Sequence, residues 1–212
     1  MKFAFLLYPG VEPIDLAALG VVSMGRRLMP ALSYLTVAAA PGLQTLANGL
    51  RVAADTGFDD CPPVDWLIVP GGPGWSAAAE DPALLDFLRA RAATPMVSLC
   101  TGAMILAAAG LLDGRVATTK CQVTAAEDSP LDLLAERHPR VEARPALLVD
   151  EGQLITGGGV GLCIDTLLYL LATRVDAAKT EELARILEYG AAAQANRARL
   201  DTVVRSGAAA GG

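Results

Sequence analysis

Residues 96–103 read MVSLCTGA, and this stretch indicates both the fold and a reactive residue. Its apolar start predicts a buried strand that ends in a sharp turn bearing Cys100. Gly102 and Ala103 are small enough for a helix to begin directly after that turn, which is the layout of a nucleophile elbow. A thiol there faces the N–H groups of the helix, which should lower its pKa. We therefore predict that Cys100 is a catalytic nucleophile; the alternative is a buried structural cysteine.

A second glycine-rich turn lies upstream of the elbow. Residues 66–69 (WLIV) predict another buried strand, and PGGPG at 70–74 follows it directly. Parallel strands present their carboxyl ends at one edge of a sheet, so the two turns should meet there. The backbone N–H groups of Gly71 and Gly72 could then point at a developing negative charge, as an oxyanion hole requires. A run of glycines also serves as a simple tight turn.

The rest of the chain alternates apolar runs with helical patterns. Strands, hairpins and closing helices are expected at 2–7, 33–38, 41–62, 146–156, 164–172 and 177–188. This alternation is typical of an α/β fold whose mostly parallel sheet carries helices on both faces. We predict one domain over residues 1–189. Residues 190–212 lack an apolar stripe, which predicts a C-terminal tail that is mobile or lies on a partner subunit.

Composition narrows the classes of function. The chain has 212 residues, of which 53% are apolar and 19% charged, so it can bury a large core. A net charge of −6 and the lack of a Lys/Arg cluster argue against nucleic acid and anionic membranes as partners. The longest uncharged run, between Arg91 and Asp113, is broken by polar residues and glycines, so no membrane span is expected. Four cysteines without paired spacing predict a reducing, cytoplasmic location and no zinc site.

Three segments carry a resemblance to a known family. They are the Pro-Gly-Gly turn at 70–72, the elbow with its helix (SLCTGAMILAAAGLLDGRVATT, 98–119) and the turn TGGGV at 156–160. Over residues 2–189 the chain resembles the DJ-1/PfpI superfamily of class I glutamine amidotransferase-like proteins. Within it, the chain is similar to isonitrile hydratases and to the sensor domains of AraC-type regulators. The resemblance implies a flavodoxin-like three-layer α/β/α sandwich that forms a homodimer, with the reactive cysteine near the subunit boundary.

The resemblance also assigns roles to individual residues. Cys100 matches the nucleophile of the family, and Asp15 matches the acidic residue that faces it from the first strand–helix connection. Gly72 matches an oxyanion-hole amide, and the amide of Thr101 is expected to supply the second. Thr101 stands where protease-like members carry His and isonitrile hydratases carry a Thr that takes part in the site. This residue therefore argues against peptidase activity.

One departure from the family pattern concerns the pocket. Hydratase-like members often read Thr-Thr-His-Trp after the elbow helix, whereas this chain has Lys120 and Cys121 after two threonines. Loss of an indole removes about 150–250 Å² of side-chain surface, so we expect a larger or more open pocket. Lys120 also brings a positive charge. We predict a bulkier or polar substrate, with Gly71, Lys120 and Cys121 as candidate pocket residues.

The resemblance implies a cysteine-dependent hydro-lyase that adds water to an isonitrile, gives an N-substituted formamide and needs no metal or organic cofactor. Two alternatives stay open: another reaction of the family, such as glyoxalase-like chemistry or secondary-metabolite tailoring, and a redox or ligand sensor without catalysis. His138, the only histidine, is expected at the surface, which argues against glyoxalase-like chemistry. AraC-type regulators add a DNA-binding domain, for which residues 190–212 are too short; we expect a small-molecule substrate instead.

Overall fold

The alternation of side chains along the apolar runs produces a sheet with two buried faces. In the computed structural model, which describes residues 1–205, Ala4 and Leu6 of the first strand enter one core, and Phe3 and Phe5 enter the other. This follows from the geometry of a strand, whose successive side chains point to opposite sides. Helices cover both faces, which confirms the predicted α/β/α sandwich.

Strands and helices alternate through most of the described chain. The strands are β1 (Lys2–Leu6), β2 (Ser33–Ala38), β3 (Gly42–Thr45), β4 (Arg51–Ala54), β5 (Thr56–Gly57), β6 (Trp66–Val69), β7 (Met96–Ser98), β8 (Val116–Ala117), β9 (Glu142–Ala143), β10 (Leu148–Asp150), β11 (Leu154–Gly157) and β12 (Thr202–Val204). The helices are α1 (Ala17–Gly25), α2 (Trp75–Ala78), α3 (Pro82–Ala90), α4 (Gly102–Ala108), α5 (Pro130–Arg137), α6 (Leu162–Arg174), α7 (Ala177–Ile186) and α8 (Gly190–Arg199). Among residues 1–205, no helix combines the length and apolar character needed to cross a bilayer.

The main sheet has the strand order β12-β10-β11-β7-β6-β1-β2-β5. Its pairs are parallel except for the β10–β11 hairpin, and β3 and β4 form the other predicted hairpin. The chain starts in the middle of the sheet, adds β2 on one side of β1, and then places β6 and β7 on the other side. A reversal of this kind leaves a crevice at the carboxyl ends of the strands, where ligands bind in open α/β sheets. The segments after β1, β6 and β7 meet there.

The elbow after β7 packs tightly against the neighbouring strand. A Cβ at Gly102 would lie 2.1 Å from the carbonyl oxygen of Val69, the last residue of β6. Glycine at this position therefore lets α4 begin against the end of β6.

Gly102→Ala is expected to destabilise the protein by about 1–3 kcal/mol, because the added methyl group forces the elbow away from β6. Urea unfolding monitored by circular dichroism measures this loss. Gly20→Ala in α1 is the matched control, since a Cβ there meets nothing within 4 Å and alanine favours a helix. Equal stability of the two variants would contradict the packing argument.

The C-terminal segment differs from its sequence prediction. Residues 190–204 do not form a mobile tail: they form α8 and then β12, which pairs in parallel with β10. Asn196 of α8 donates a 2.9 Å hydrogen bond to Asp165 of α6. The sequence pattern did not predict these two elements. Helix α8 buries only Ala193, and β12 is a three-residue strand that depends on a distant partner. The remainder of the predicted tail, residues 206–212, lies outside the described residues.

Candidate active site

The crevice at the strand ends contains a cavity of about 700 Å³. Cys100 and Thr101 line it from the elbow, Gly72 from the turn after β6, and Lys120 from the segment after β8. The structure thus brings four predicted site residues to one cavity. Two others, Asp15 and Gly71, are not among its lining residues and are hydrogen-bonded to each other.

The elbow holds Cys100 in a strained conformation. Its φ of 51° lies in the left-handed region, which side chains other than glycine rarely adopt and which is often found at active sites. The backbone N–H of Cys100 donates to Gly158 at 3.2 Å, and its carbonyl accepts a 2.7 Å hydrogen bond from Thr119 Oγ1. Bonds on both sides fix the turn, so the sulfur has a defined position above the end of β7.

Burial dominates the electrostatics of the thiol. The pKa of Cys100 is raised from 9.0 to about 12. Burial is the largest cause of this rise, and the charge of Asp15 is the next. The backbone N–H groups of Val160 and Thr101 and the charge of Lys120 lower this pKa without compensating for burial. The sequence prediction of a lowered thiol pKa was therefore wrong. Burial of the thiol removes more solvation than the start of the seven-residue helix α4 restores.

Asp15 is a buried carboxyl group that forms no ion pair with any side chain of residues 1–205. It is fully buried, and its Oδ2 accepts a 2.7 Å hydrogen bond from the backbone N–H of Gly71. Burial, opposed by that hydrogen bond and assisted by the charge of Glu12, raises the pKa of Asp15 from 3.8 to about 7. Its Oδ1 has no hydrogen-bond partner among the described residues, and no direct bond to Cys100 is formed there. With a pKa of about 7, this carboxyl group can take up or release a proton near neutral pH.

The turn after β6 differs from the predicted oxyanion hole. The backbone N–H of Gly72 donates to Thr101 Oγ1 at 2.9 Å instead of pointing freely into the cavity. A Cβ at Gly71 would lie 2.4 Å from the nitrogen of Thr101, so glycine there permits the contact between the two turns. The hydroxyl of Thr101 on the elbow, held by Gly72 of this turn, is consequently a polar group presented near Cys100.

Of the two residues after the threonine pair, only Lys120 lines the cavity that contains Cys100. Lys120 lines the cavity of Cys100, whereas Cys121 lines an adjoining one of about 370 Å³ that also touches Lys120 and Val160. The sulfur of Cys121 lies 3.2 Å from the carbonyl oxygen of Thr119. The structure therefore places Lys120, and not Cys121, with the predicted nucleophile.

Several residues of the cavity had no assigned role in the sequence. The backbone N–H of Val160 lowers the pKa of the Cys100 thiol, and the run of glycines before Val160 was the available signal in the sequence. Trp75 also lines the cavity, and the guanidinium of Arg137 lies 5.9 Å from the centroid of its ring. An indole is therefore present although the family's tryptophan after the elbow helix is not. Trp75 on α2 and Arg137 on α5 are brought together only by the tertiary fold.

No cluster of metal ligands exists in the described chain. Groups of three or more His, Cys, Asp or Glu side chains arranged to hold an ion are absent from residues 1–205. His138, at the end of α5, does not contribute to the described lining of the Cys100 cavity.

Comparison with known proteins places this arrangement in context. A family model described as DJ-1/PfpI matches residues 1–173. The isonitrile hydratase of Pseudomonas putida is 34% identical over 208 residues, which is 91% of this chain and 80% of that protein. The HTH-type transcriptional regulator CdhR of Pseudomonas aeruginosa is 32% identical over 174 residues, which is 80% of this chain and 49% of the regulator.

Solved structures agree with the fold. A ThiJ/PfpI family protein from Pseudomonas syringae superimposes with a TM-score of 0.76 at 30% identity, over 89% of this chain and 74% of that one. Drosophila melanogaster DJ-1beta gives a TM-score of 0.72 at 18% identity, over 88% of this chain and 97% of that one. The second likeness concerns the fold alone.

Proposed function

This chain belongs to the DJ-1/PfpI family, and from that premise we propose that it is a cysteine-dependent hydro-lyase that adds water to an isonitrile. The product is an N-substituted formamide. Cys100 is the nucleophile, Asp15 moves the protons, and Thr101 orients the substrate. The similarity to isonitrile hydratase along most of both chains supports this assignment.

The placement of Thr101 is the observation that carries the proposal. Its hydroxyl accepts from Gly72 N–H at 2.9 Å and donates to the carbonyl oxygen of Gly72 at 3.3 Å, so it is fixed beside Cys100. On turning its single proton away from that carbonyl, the hydroxyl can donate to the isonitrile nitrogen, but it cannot serve as the imidazole base of a Cys-His protease. The site therefore suits addition to a small unsaturated substrate better than peptide hydrolysis.

The first chemical step joins the sulfur to the terminal isonitrile carbon. The carboxylate of Asp15 takes the thiol proton of Cys100 as the S–C bond forms, and passes it to the same carbon. The C≡N bond becomes C=N, and the product is a thioimidate, Cys–S–CH=N–R. One proton is moved and none is lost, so the step needs no other acid.

The second step hydrates this intermediate. Asp15 takes a proton from water as the oxygen bonds to the imidate carbon, and the proton is delivered to nitrogen. Cleavage of the C–S bond then releases HC(=O)–NH–R, while the hydroxyl proton returns through Asp15 to the sulfur. Atoms balance as R–N≡C plus water, and Cys100 and Asp15 regain their initial states.

A panel of isonitriles incubated with purified protein tests the proposal, with chromatographic detection of the formamide. We expect weak turnover of small alkyl isonitriles and faster turnover of bulkier or polar ones, because the cavity of about 700 Å³ is large for a short alkyl chain. Absence of formamide across the panel would contradict the proposed reaction.

Thr101→Val is expected to lower kcat about tenfold and stability by about 1–3 kcal/mol. Valine has nearly the same shape but leaves the N–H of Gly72 without its partner in a buried position. Thr101→Ser is the control, since it keeps the hydroxyl and should retain most of the activity. Steady-state kinetics and urea unfolding provide the two measurements. A valine variant as active as the serine variant would remove Thr101 from the mechanism.

A sensor domain without catalysis is the second candidate, because a transcriptional regulator is among the relatives. This chain spans about half of that regulator, so the comparison concerns only its matching part. The same cavity would then bind a small molecule that is not converted. Calorimetric binding of an isonitrile or its formamide without turnover would favour this reading.

We also propose that the protein forms a homodimer. The family resemblance supports this, and Ile14, half exposed at the rim of the Cys100 cavity, is an apolar side chain that a second subunit could cover. A specific dimer should bury at least roughly 1,000 Å² in total. Light scattering at micromolar concentration should return twice the chain mass, and a monomer mass would refute the proposal.

A further inference from the structure

The backbone that leads to Lys120 is held in place next to Cys100. The preceding residue, Thr119, is buried and donates from Oγ1 to the carbonyl of Cys100 at 2.7 Å. One residue earlier, the N–H of Thr118 donates to Thr156 at 2.9 Å, at the end of β11. The backbone that leads to Lys120 is therefore tied to the elbow and to the sheet.

The aliphatic part of the Lys120 side chain packs against Gly159, in the loop next to Cys100. A Cβ added at Gly159 would lie 2.9 Å from Cγ of Lys120 and 3.1 Å from its Cα, so the glycine leaves room for this stem. The next residue, Val160, lines the cavity beside Cys100, and its backbone N–H lowers the pKa of the thiol. Lys120 and Cys100 line the same cavity, and the ammonium of Lys120 lies 3.2 Å from Glu127 Oε2. Glu127 is exposed, on the segment between β8 and α5.

The groups around Cys100 are otherwise anionic or neutral. Asp15 raises the pKa of the Cys100 thiol. The charge of Cys100 in turn contributes to the raised pKa values of Tyr8 and Cys163. Lys120 is the cation whose charge lowers the pKa of Cys100. The thiolate is the nucleophilic form of a cysteine, so a cation near the sulfur favours that form.

The lining of the cavity contains other charged side chains besides Lys120. Glu12 and Asp128 line it as acids, in addition to Glu127. The other cation of the lining, Arg137, is stacked over Trp75. Glu127 is thus the acid that directly contacts Lys120 among the described residues.

We propose that Lys120 is a positioning residue that stabilises the thiolate of Cys100, and that Glu127 restrains it by holding its ammonium in an ion pair. The reactivity of the site then depends on whether Lys120 is paired with Glu127 or released toward the sulfur. This inference rests on Cys100 as the nucleophile of the proposed function, and it does not depend on the substrate.

Iodoacetamide labelling of the Cys100 peptide, quantified by mass spectrometry over a range of pH, tests the inference without an isonitrile. Lys120→Met is expected to raise the midpoint of labelling by about one pH unit and to slow labelling about tenfold at a fixed lower pH. Lys120→Arg should restore both values because it restores the charge. Lys179→Met is the matched control: it removes a lysine that is paired with Asp176 on α7, and should change neither.

Glu127→Gln should accelerate labelling, since it releases the ammonium, and this gain should disappear in a Lys120→Met background. An unchanged midpoint in Lys120→Met would overturn the role of Lys120. An equal gain from Glu127→Gln in both backgrounds would overturn the ion-pair restraint, because Glu127 would then act through its own charge. Failure to form formamide together with these labelling shifts would reject the proposed reaction and leave the inference standing.

Discussion

Cys100→Ala is expected to release no measurable formamide from any isonitrile that the parent protein hydrates. Without the sulfur no thioimidate forms, and loss of a covalent nucleophile should lower the rate by about 10³-fold or more. Cys100→Ser should be nearly as impaired, because a hydroxyl ionises far less readily than a thiol. Chromatographic assay of the formamide at equal protein concentration measures the loss.

Cys61→Ala is the control for this loss. Cys61 is also buried but does not line the Cys100 cavity, and its sulfur contacts the carbonyl of Pro62 at 3.6 Å. This variant should retain the activity of the parent protein. Substantial turnover by Cys100→Ala would show that the reaction proceeds without covalent catalysis, and the mechanism proposed above would have to be abandoned.

Asp15→Asn is expected to stabilise the protein at pH 8 by about 4 kcal/mol relative to its effect at pH 4. Each pKa unit corresponds to about 1.4 kcal/mol, and burial raises the pKa of Asp15 from 3.8 to about 7. The raised pKa means that the folded state holds this proton more tightly than the unfolded chain does. Stability from the protonated group is therefore present below about pH 4 and is lost as pH rises through 7. Asparagine has no charge to bury.

Urea unfolding at several pH values between 4 and 8 measures this difference. Asn can still accept the N–H of Gly71 through its side-chain oxygen, so the local hydrogen bond is kept. Asp86→Asn on the surface of α3, where the carboxyl is mostly exposed, should leave the pH dependence unchanged. A parallel pH dependence for Asp15→Asn and the parent protein would show that Asp15 does not carry the buried charge.

Activity should move in the opposite direction to stability. Asp15→Asn should lower kcat by about 10²–10⁴-fold, as expected for loss of a proton carrier. In the parent protein, kcat/KM should rise with pH with a midpoint of about 7, because the reactive pair of Asp15 and Cys100 holds one proton instead of two. A flat profile across this range would contradict the shared-proton mechanism.

Local sequence signals were sufficient to predict the elbow and its neighbours. The apolar run before Cys100 and the glycine after it predict strand, turn and helix because these depend on side-chain size and backbone freedom within a few residues. The structure confirms that layout, and it additionally shows Cys100 in the left-handed conformation. The alternation of strands and helices likewise predicted the sandwich, since it follows from which faces must be buried.

Contacts between distant segments could not be predicted in this way. The strand β12 exists because β10 offers it a partner more than 50 residues away in sequence. Trp75 and Arg137 meet because α2 and α5 lie on the same side of the cavity. Neither contact leaves a periodic pattern in the residues involved.

The sequence by itself determined the identity of the thiol, the carboxyl group and the hydroxyl that the site can use, since these are properties of Cys100, Asp15 and Thr101 as residue types. Only the tertiary structure decided their chemical state. It buries Cys100 and Asp15 together, directs Gly72 to Thr101, and leaves Lys120 as the cation that lowers the pKa of the thiol. A pKa depends on solvation and on neighbouring charges, which are fixed by packing between segments remote in sequence and not by the residue itself.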